Sequence, residues 1–332
     1  MKAVVFQTLG GPEVLEIASR DIPPPGPGEV RVRVTSVGLN RADLLFVQGR
    51  YFQKATLPSR VGMEPAGVVE RVGAEGVAGV KWQAGDRVGV LPSSFELSAQ
   101  GGLAEYVTVP ARCLVPTPPS LDDRDAAAIW MQYLTVWGAL RVTQPIESGQ
   151  FVVITAASSS VGLAAIECVK ASGAIPIATT TSAGKVARLM EHGAAHVINV
   201  KADDYPARIK EITADRGAHV VFDAVGGPGI NEHVRACRQG GAILLYGLLD
   251  TRPMDFAPGL LIGKQLRLIG YTVRSLQENP AALARAVSEI GEGIAAGRLR
   301  PVVDRRFPLS DVRAAFEYMA SNQQFGKIIL NP

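Results

Sequence analysis

The 332-residue chain has no apolar run near the ~20 residues that a membrane-spanning helix needs. Its start, MKAVVFQTLGGPEVLEI, carries one lysine and a short apolar run broken by Gly and Pro. That reads as a strand and turn rather than a signal peptide, so a cytoplasmic protein is expected. Charge of either sign is scarce in excess: Lys plus Arg total 34 against 31 Asp plus Glu, a net +3. No basic run occurs, which argues against nucleic acid or a membrane surface as partner. The three cysteines, Cys113, Cys168 and Cys237, are scattered and form no paired framework, so reduced thiols are expected. Only four histidines are present. His192 and His196 are four apart, but Gly193 breaks any shared helical face, so surface or capping roles are expected. His219 and His233 offer no partner pattern.

What is present is an ordinary globular composition, 47% hydrophobic and 20% charged, long enough for one large or two ordinary domains. Residues 1 to about 120 read as β-rich. VRVRVTSVG alternates polar and apolar residues, and short strands are punctuated by Gly and Pro in DIPPPGPGEV, GMEPAGVVERVG and AGDRVGVLP. From about 125 the pattern changes. DAAAIWMQYLTVWGALR reads as a helix, and four strand-then-helix units follow, then GGAILLYG and QLRLIGYTV. Apolar strands alternating with amphipathic helices predict a doubly wound parallel α/β sheet. The tail adds a helix ending at Gly297, an extended RPVVDRRFPLS, a helix with Ser310 as N-cap, and a closing strand FGKIILNP. It reads as rejoining the first domain.

The stretch FVVITAASSSVG is the most informative. A buried strand breaks into a small-residue turn and then a helix, which brings backbone N–H groups and a helix N-terminus to one point, as a pyrophosphate requires. The usual G-x-G-x-x-G stands here as Ala157-Ser158-Ser159-Ser160-Val161-Gly162, with only the last glycine kept. The serines can be an N-cap cluster, donors to the pyrophosphate, or both. A second strand ends in Thr179-Thr180-Thr181-Ser182, and no acid lies between Glu167 and Glu191. The acid that would hold a ribose 2′-hydroxyl is therefore missing. Hydroxyls and Lys185, with Arg188 a turn further on, suit a 2′-phosphate instead, so NADPH is the expected cofactor.

Taken in order, GEVRVRVTSVGLNRADLLFVQGRY, GMEPAGVVERVG with AGDRV, GGLAEYVTVP, AASSSVG, VVFDAVGG and PLSDVRAAFEYMASNQQFGKIIL run nearly end to end. On these the chain resembles the zinc-free quinone oxidoreductase branch of the medium-chain dehydrogenases/reductases. The resemblance implies a GroES-like catalytic domain from residues 1–124 and 268–332, and a Rossmann NADPH-binding domain from 125–267. It implies cofactor contacts at Asn40, Thr135, Ser158, Ser159, Ser160, Val161, Gly162, Thr180, Ser182, Lys185, Val225, Gly226, Tyr246, Gly247, Leu248, Phe325, Gly326 and Lys327, although Lys327 reads equally well as a surface lysine. A tyrosine that some relatives add after VIN is Val200 here. Zinc-dependent relatives carry a cysteine at Asn40 and Gly-His-Glu at Gly62-Met63-Glu64, and a four-cysteine site where Cys113 stands alone. No metal is therefore expected. Asn40 and Tyr51 are the expected catalytic donors to a carbonyl oxygen, Asp43 is expected to fix a loop, and Phe46 replaces a frequent tyrosine. The implied activity is zinc-independent hydride transfer from NADPH to quinones or related conjugated carbonyls. The alternatives are reduction of enoyl thioesters or 2-alkenals, and NADPH binding without turnover. A homodimer paired near QLRLIGYTV is implied.

Overall fold

The computed structural model describes residues 1–73 and 82–332. Two compact units emerge: Met1–Met131 with Val287–Ala296 and Pro301–Pro332, and Gln132–Ala286 with Gly297–Arg300. Both chain ends lie in the first.

The first unit is built mainly on antiparallel strands, with one parallel pairing between Val303–Pro308 and Lys327–Asn331. Its largest sheet orders Val303–Pro308, Lys327–Asn331, Glu29–Leu39, Glu64–Val72, Arg87–Val90 and Leu114–Pro116, with Tyr106–Pro110 also pairing Glu29–Leu39. Val30, Val32 and Val34 are buried while Glu29, Arg31 and Arg33 face outward, the alternation of a strand with one covered face. A second sheet sets Lys2–Phe6 between Glu16–Ser19 and Ser59–Arg60. The closing strand Lys327–Asn331 lies antiparallel to Glu29–Leu39, pairing Ile328 with Leu39. The chain terminus thus stands next to the segment that leads into Asn40.

The second unit is a six-stranded sheet, ordered His196–Asn199, Ile175–Thr180, Phe151–Ile154, Ala218–Asp223, Cys237–Leu245 and Arg267–Gly270. Every pairing is parallel. Phe151, Val152, Val153 and Ile154 are all buried, odd and even alike, because both faces are covered. The chain starts in the middle, winds outward to one edge, then returns to build the other half. This is the Rossmann order, and its reversal lies between Phe151–Ile154 and Ala218–Asp223, where such sheets bind ligands. The expected domain boundary at 268 falls inside the strand Arg267–Gly270, which completes this sheet.

Three local expectations need correction. The helix read from DAAAIWMQYLTVWGALR starts at Trp130 and runs to Trp137, then widens into a π-helix over Gly138–Thr143. Gly138 admits a neighbour there: a Cβ on it would lie 2.1 Å from the Tyr271 hydroxyl. Ser310 does not cap the last helix. A 3₁₀ turn, Leu309–Asp311, precedes it, Asp311 is the N-cap, and the Ser310 hydroxyl donates to the Asp311 carboxylate at 3.1 Å. His192 is neither a free surface residue nor a cap, and His233 has partners. His192 lies 3.2 Å from the Leu163 carbonyl and 3.6 Å from Glu167, and His233 lies between Tyr205 and Asp223.

Candidate functional site

In the first unit the candidate residues converge on a buried ion pair. The Lys327 ammonium donates to Glu64 and, at 2.7 Å, to Asn40 Oδ1. Lys327 is 1% exposed, so the reading of it as a surface lysine is overturned. Asn40 Nδ2 donates to the Gly38 carbonyl at 3.0 Å and to Glu64 Oε2 at 3.1 Å, while the Met131 N–H donates to Glu64 Oε1 at 2.8 Å. Gly38 must be glycine, because a Cβ would meet the Ala127 carbonyl at 2.2 Å and Lys327 Cε at 2.5 Å. Both amide hydrogens of Asn40 are thereby spent inside the unit. Its expected role as donor to a carbonyl is corrected: here it grips the lysine.

Asp43 completes this arrangement. Its carboxylate accepts the Asn40 N–H and the Met63 N–H, each at 2.9 Å, tying the start of helix Arg41–Val47 to the segment before Glu64–Val72. Full burial pushes its carboxyl up to about 7, against the lowering effect of those two bonds and Lys327. Tyr51 stands near Asp43, and its hydroxyl is bonded to Ser93; burial pushes the phenol up to about 12. Phe46 is in the core, edge-on to Phe6. Phe325 is buried, and Gly326, at φ 113°, passes so close to Val302 that a Cβ would lie 2.4 Å from its carbonyl. That approach seats Lys327.

In the second unit the degenerate turn is organised by serine. Ser159 is the N-cap of helix Ser160–Ala171, and its hydroxyl accepts the Gly162 N–H at 3.1 Å. Helix geometry leaves the N–H groups of Ser160 and Val161 without intrahelical acceptors, aimed outward from the N-terminus. Gly162 is retained for a steric reason: a Cβ would lie 2.6 Å from Ala157 Cα and its carbonyl oxygen. Lys185 Nζ donates to Ser158 Oγ at 3.2 Å, and Thr180 Oγ1 accepts the Ser182 N–H at 3.1 Å. Ala157 N–H donates to the Thr179 carbonyl, joining the first strand's turn to the end of the second strand. Ser158, Lys185, Thr180 and Ser182 therefore gather around one corner that contains a cation, and the chain from Cys168 to Met190 brings no acid to it.

The fourth and fifth strand ends form another corner. Asp223 accepts Thr155 Oγ1 at 2.7 Å, the Val225 N–H at 2.9 Å and the Gly226 N–H at 3.0 Å. Burial pushes this carboxyl up, but His233 and these bonds outweigh it and hold it below the usual carboxylate range. The Val225 carbonyl accepts from Asp250 N–H. Val225 thus has both backbone groups committed, which leaves its side chain as its contact surface. Gly247 lies close under Ala224, Tyr246 stacks on Phe222 at 4.0 Å, and Leu248 is exposed. Thr135 is buried in helix Trp130–Trp137, away from the Ser158–Lys185 corner in sequence and element.

Sequence reasoning missed Glu64 and His233 as partners. The available signals were an acid at the start of a strand and a histidine one turn into a helix after VFDAVGG. Neither points to its partner. It also missed Glu167 on helix Ser160–Ala171, which accepts the Tyr133 hydroxyl at 2.7 Å and the Arg300 N–H at 3.2 Å.

Residues 160–289 match the family described as zinc-binding dehydrogenase, and residues 26–119 match the alcohol dehydrogenase GroES-like domain. A quinone oxidoreductase from Pseudomonas aeruginosa is 30% identical over 100% of this chain and 99% of its own. The crystal structure of Escherichia coli quinone oxidoreductase complexed with NADPH is 30% identical, covers 100% of both chains and superposes with a TM-score of 0.92. A mycobacterial structure complexed with NADPH, 26% identical over 100% of both chains, gives 0.91.

Burial also pushes Glu167 up to about 7, against the bonds from Tyr133 and Arg300. Between the ordinary glutamate value and about 7 the folded chain holds a proton that the unfolded chain has released. This group's stabilisation is therefore complete at low pH and is lost as pH rises through that window, at about 1.4 kcal/mol per pH unit. Urea midpoints from pH 5 to 8 should fall more steeply for the native chain than for Glu167→Gln. Parallel curves would refute the assignment.

Proposed function

The chain belongs to the quinone oxidoreductase family of the medium-chain dehydrogenases/reductases, and we propose that it is an NADPH-dependent, zinc-independent reductase of quinones. The observation that carries the cofactor is the Lys185–Ser158 contact at an acid-free strand end. A 2′-phosphate is an anion rich in acceptor oxygens. Lys185, with the hydroxyls of Ser158, Thr180 and Ser182, offers it a charge and several donors, and this strand end carries no acid of its own. The N–H groups of Ser160 and Val161 would face the pyrophosphate at the helix N-terminus. The side chain of Val225, with Gly226, Gly247 and Leu248 at the adjoining strand ends, and Thr135 would serve the nicotinamide half.

Bound NADPH supplies a hydride. A quinone takes that hydride and one proton to become the hydroquinone, so two electrons and two hydrogens are transferred in all. Aromatisation of the ring drives the step, so little acid catalysis is needed. Tyr51, which keeps its proton across the physiological range, and Asn40, fixed by Lys327, would wall the substrate, with solvent providing the proton.

Zinc independence is supported by the donor set. The position between Asn40 and Glu64 is taken by the chain's own ammonium, and Glu64 is already neutralised by it. Met63 offers a buried thioether where a zinc site wants nitrogen or thiolate. Among the described residues, no group of three His, Cys, Asp or Glu side chains is placed to hold a metal. Cytoplasmic residence accords with three free thiols; among the described residues no helix is long and apolar enough to cross a membrane. The strand Arg267–Gly270 ends the sheet, with Leu268 exposed on it and Leu260 and Ile262 exposed on the preceding helix Pro258–Gly263. We place a homodimer contact along this edge.

NADPH oxidation should follow mixing with a quinone panel, and Lys185→Ala should weaken NADPH by about ten- to a hundredfold while leaving NADH unchanged. Turnover confined to crotonyl-CoA or a 2-alkenal would move the reading to the alternative acceptors, and tight NADPH binding without any turnover would make this a binding protein. Metal analysis should find no stoichiometric zinc, and a chelator should leave the rate unchanged; one tightly held zinc per chain would revive metal-assisted chemistry. Sedimentation at micromolar concentration should give the mass of two chains, and a monomer there would remove the edge contact.

A further inference from the structure

Phe52 follows Tyr51 in the chain. It is 57% exposed, which for an isolated side chain would be unremarkable. It is not isolated. Its ring centroid lies 4.0 Å from that of Tyr51, with the planes 38° apart. The ring behind it is anchored at both ends: the Arg50 and Tyr51 N–H groups both donate to the Leu45 carbonyl, at 2.8 and 3.1 Å, and the Tyr51 hydroxyl bonds Ser93. Lys54 Nζ donates back to the Gly49 carbonyl at 3.0 Å, closing the loop that follows. Tyr51 in turn lies near Asp43, the group that orders Asn40 and Met63.

The result is a rigid aromatic pair presenting one ring to the exterior beside the substrate-side residues. Aromatic faces attract flat delocalised systems in offset stacks, most strongly when the opposed ring is electron-poor, and a backed ring loses little freedom on binding. A quinone is flat and electron-poor across a whole ring or several. An open-chain alkenal offers only a short conjugated segment.

We propose that Phe52, backed by Tyr51, is an aromatic platform that selects flat conjugated ring acceptors over open-chain ones. This deepens the quinone reading and rests on it, and two separate readouts keep their failures apart. The first is steady-state kinetics of the native chain, Phe52→Ala and Phe52→Trp with 1,4-benzoquinone, 9,10-phenanthrenequinone and a 2-alkenal. The second is equilibrium binding of 9,10-phenanthrenequinone, followed by tryptophan quenching without cofactor. Phe52→Ala should raise the KM for phenanthrenequinone about three- to tenfold with kcat within twofold, raise that for benzoquinone less, and leave the alkenal unchanged; Phe52→Trp should restore the native KM. Binding should weaken by the same factor. Quinone turnover that ignores Phe52→Ala, or a loss equal for all three acceptors, would overturn the platform while leaving the reductase reading intact. Binding that depends on Phe52 without turnover would sink the reductase reading and keep the platform. Neither binding nor turnover would remove both.

Discussion

The ion pair of Lys327 and Glu64 is the interaction on which the residues around Asn40 depend. Two opposite charges out of water survive only when their remaining valences are satisfied, and here Asn40 Oδ1, Asn40 Nδ2 and the Met131 N–H supply those partners. The pair is a weak source of net stability, because desolvation offsets most of the attraction. Its effect is positional. Breaking it from one side would strand a buried charge, at about 3–5 kcal/mol. That penalty fixes the closing strand, the residue before helix Arg41–Val47 and the start of strand Glu64–Val72 in one register.

The nucleotide-binding unit uses the same device with a different sign. Asp223 is a buried anion that collects the Val225 and Gly226 N–H groups and the Thr155 hydroxyl, which itself receives the Ala224 N–H. Successive backbone donors that could hold an external anion are occupied by an internal one. At the first strand's turn the donors are distributed the other way: Ser159 takes only the Gly162 N–H, and the rest of the first helical turn stays open. The sheet therefore has one strand end whose backbone donors are open and one whose donors are taken by its own carboxylate, side by side at its topological reversal. Open donors suit an anion, and occupied ones suit an uncharged group.

What was legible in the sequence was local. The first strand, turn and helix could be read because four β-branched or apolar residues, a small-residue break and a helical pattern are contiguous. The acid-free second strand was legible as an absence. Asn40, Glu64 and Lys327 were visible singly, yet their union was not, since Glu64 and Lys327 are 263 residues apart and periodicity says nothing about a partner at that distance. The packing at Gly138, where the π-helix begins, was hidden for the same reason, because the Tyr271 hydroxyl that lies against it comes from 133 residues further along the chain. Ser310 misled because a serine hydroxyl can satisfy a neighbouring carboxylate as readily as a helix N–H. That choice is settled by the 3₁₀ turn and not by composition.

The lost glycines of the fingerprint can now be placed. Gly162 survives because helix and strand approach too closely for a Cβ. Its two missing counterparts are Ala157 and Ser159. Neither position is left-handed: Ser159 has φ −72°, and the left-handed residue of the turn is Ala156, just before the fingerprint, at φ 45°, a conformation that costs an alanine about 1–2 kcal/mol. At the second position the glycine is exchanged for a hydroxyl that caps the helix, while Ser158, at a variable position of the motif, reaches Lys185. Of the two exchanges, therefore, only Ser159 brings a side-chain hydroxyl to the turn, and that hydroxyl is spent on the helix N-terminus, so the cation comes to the corner through Ser158 and not through a lost glycine.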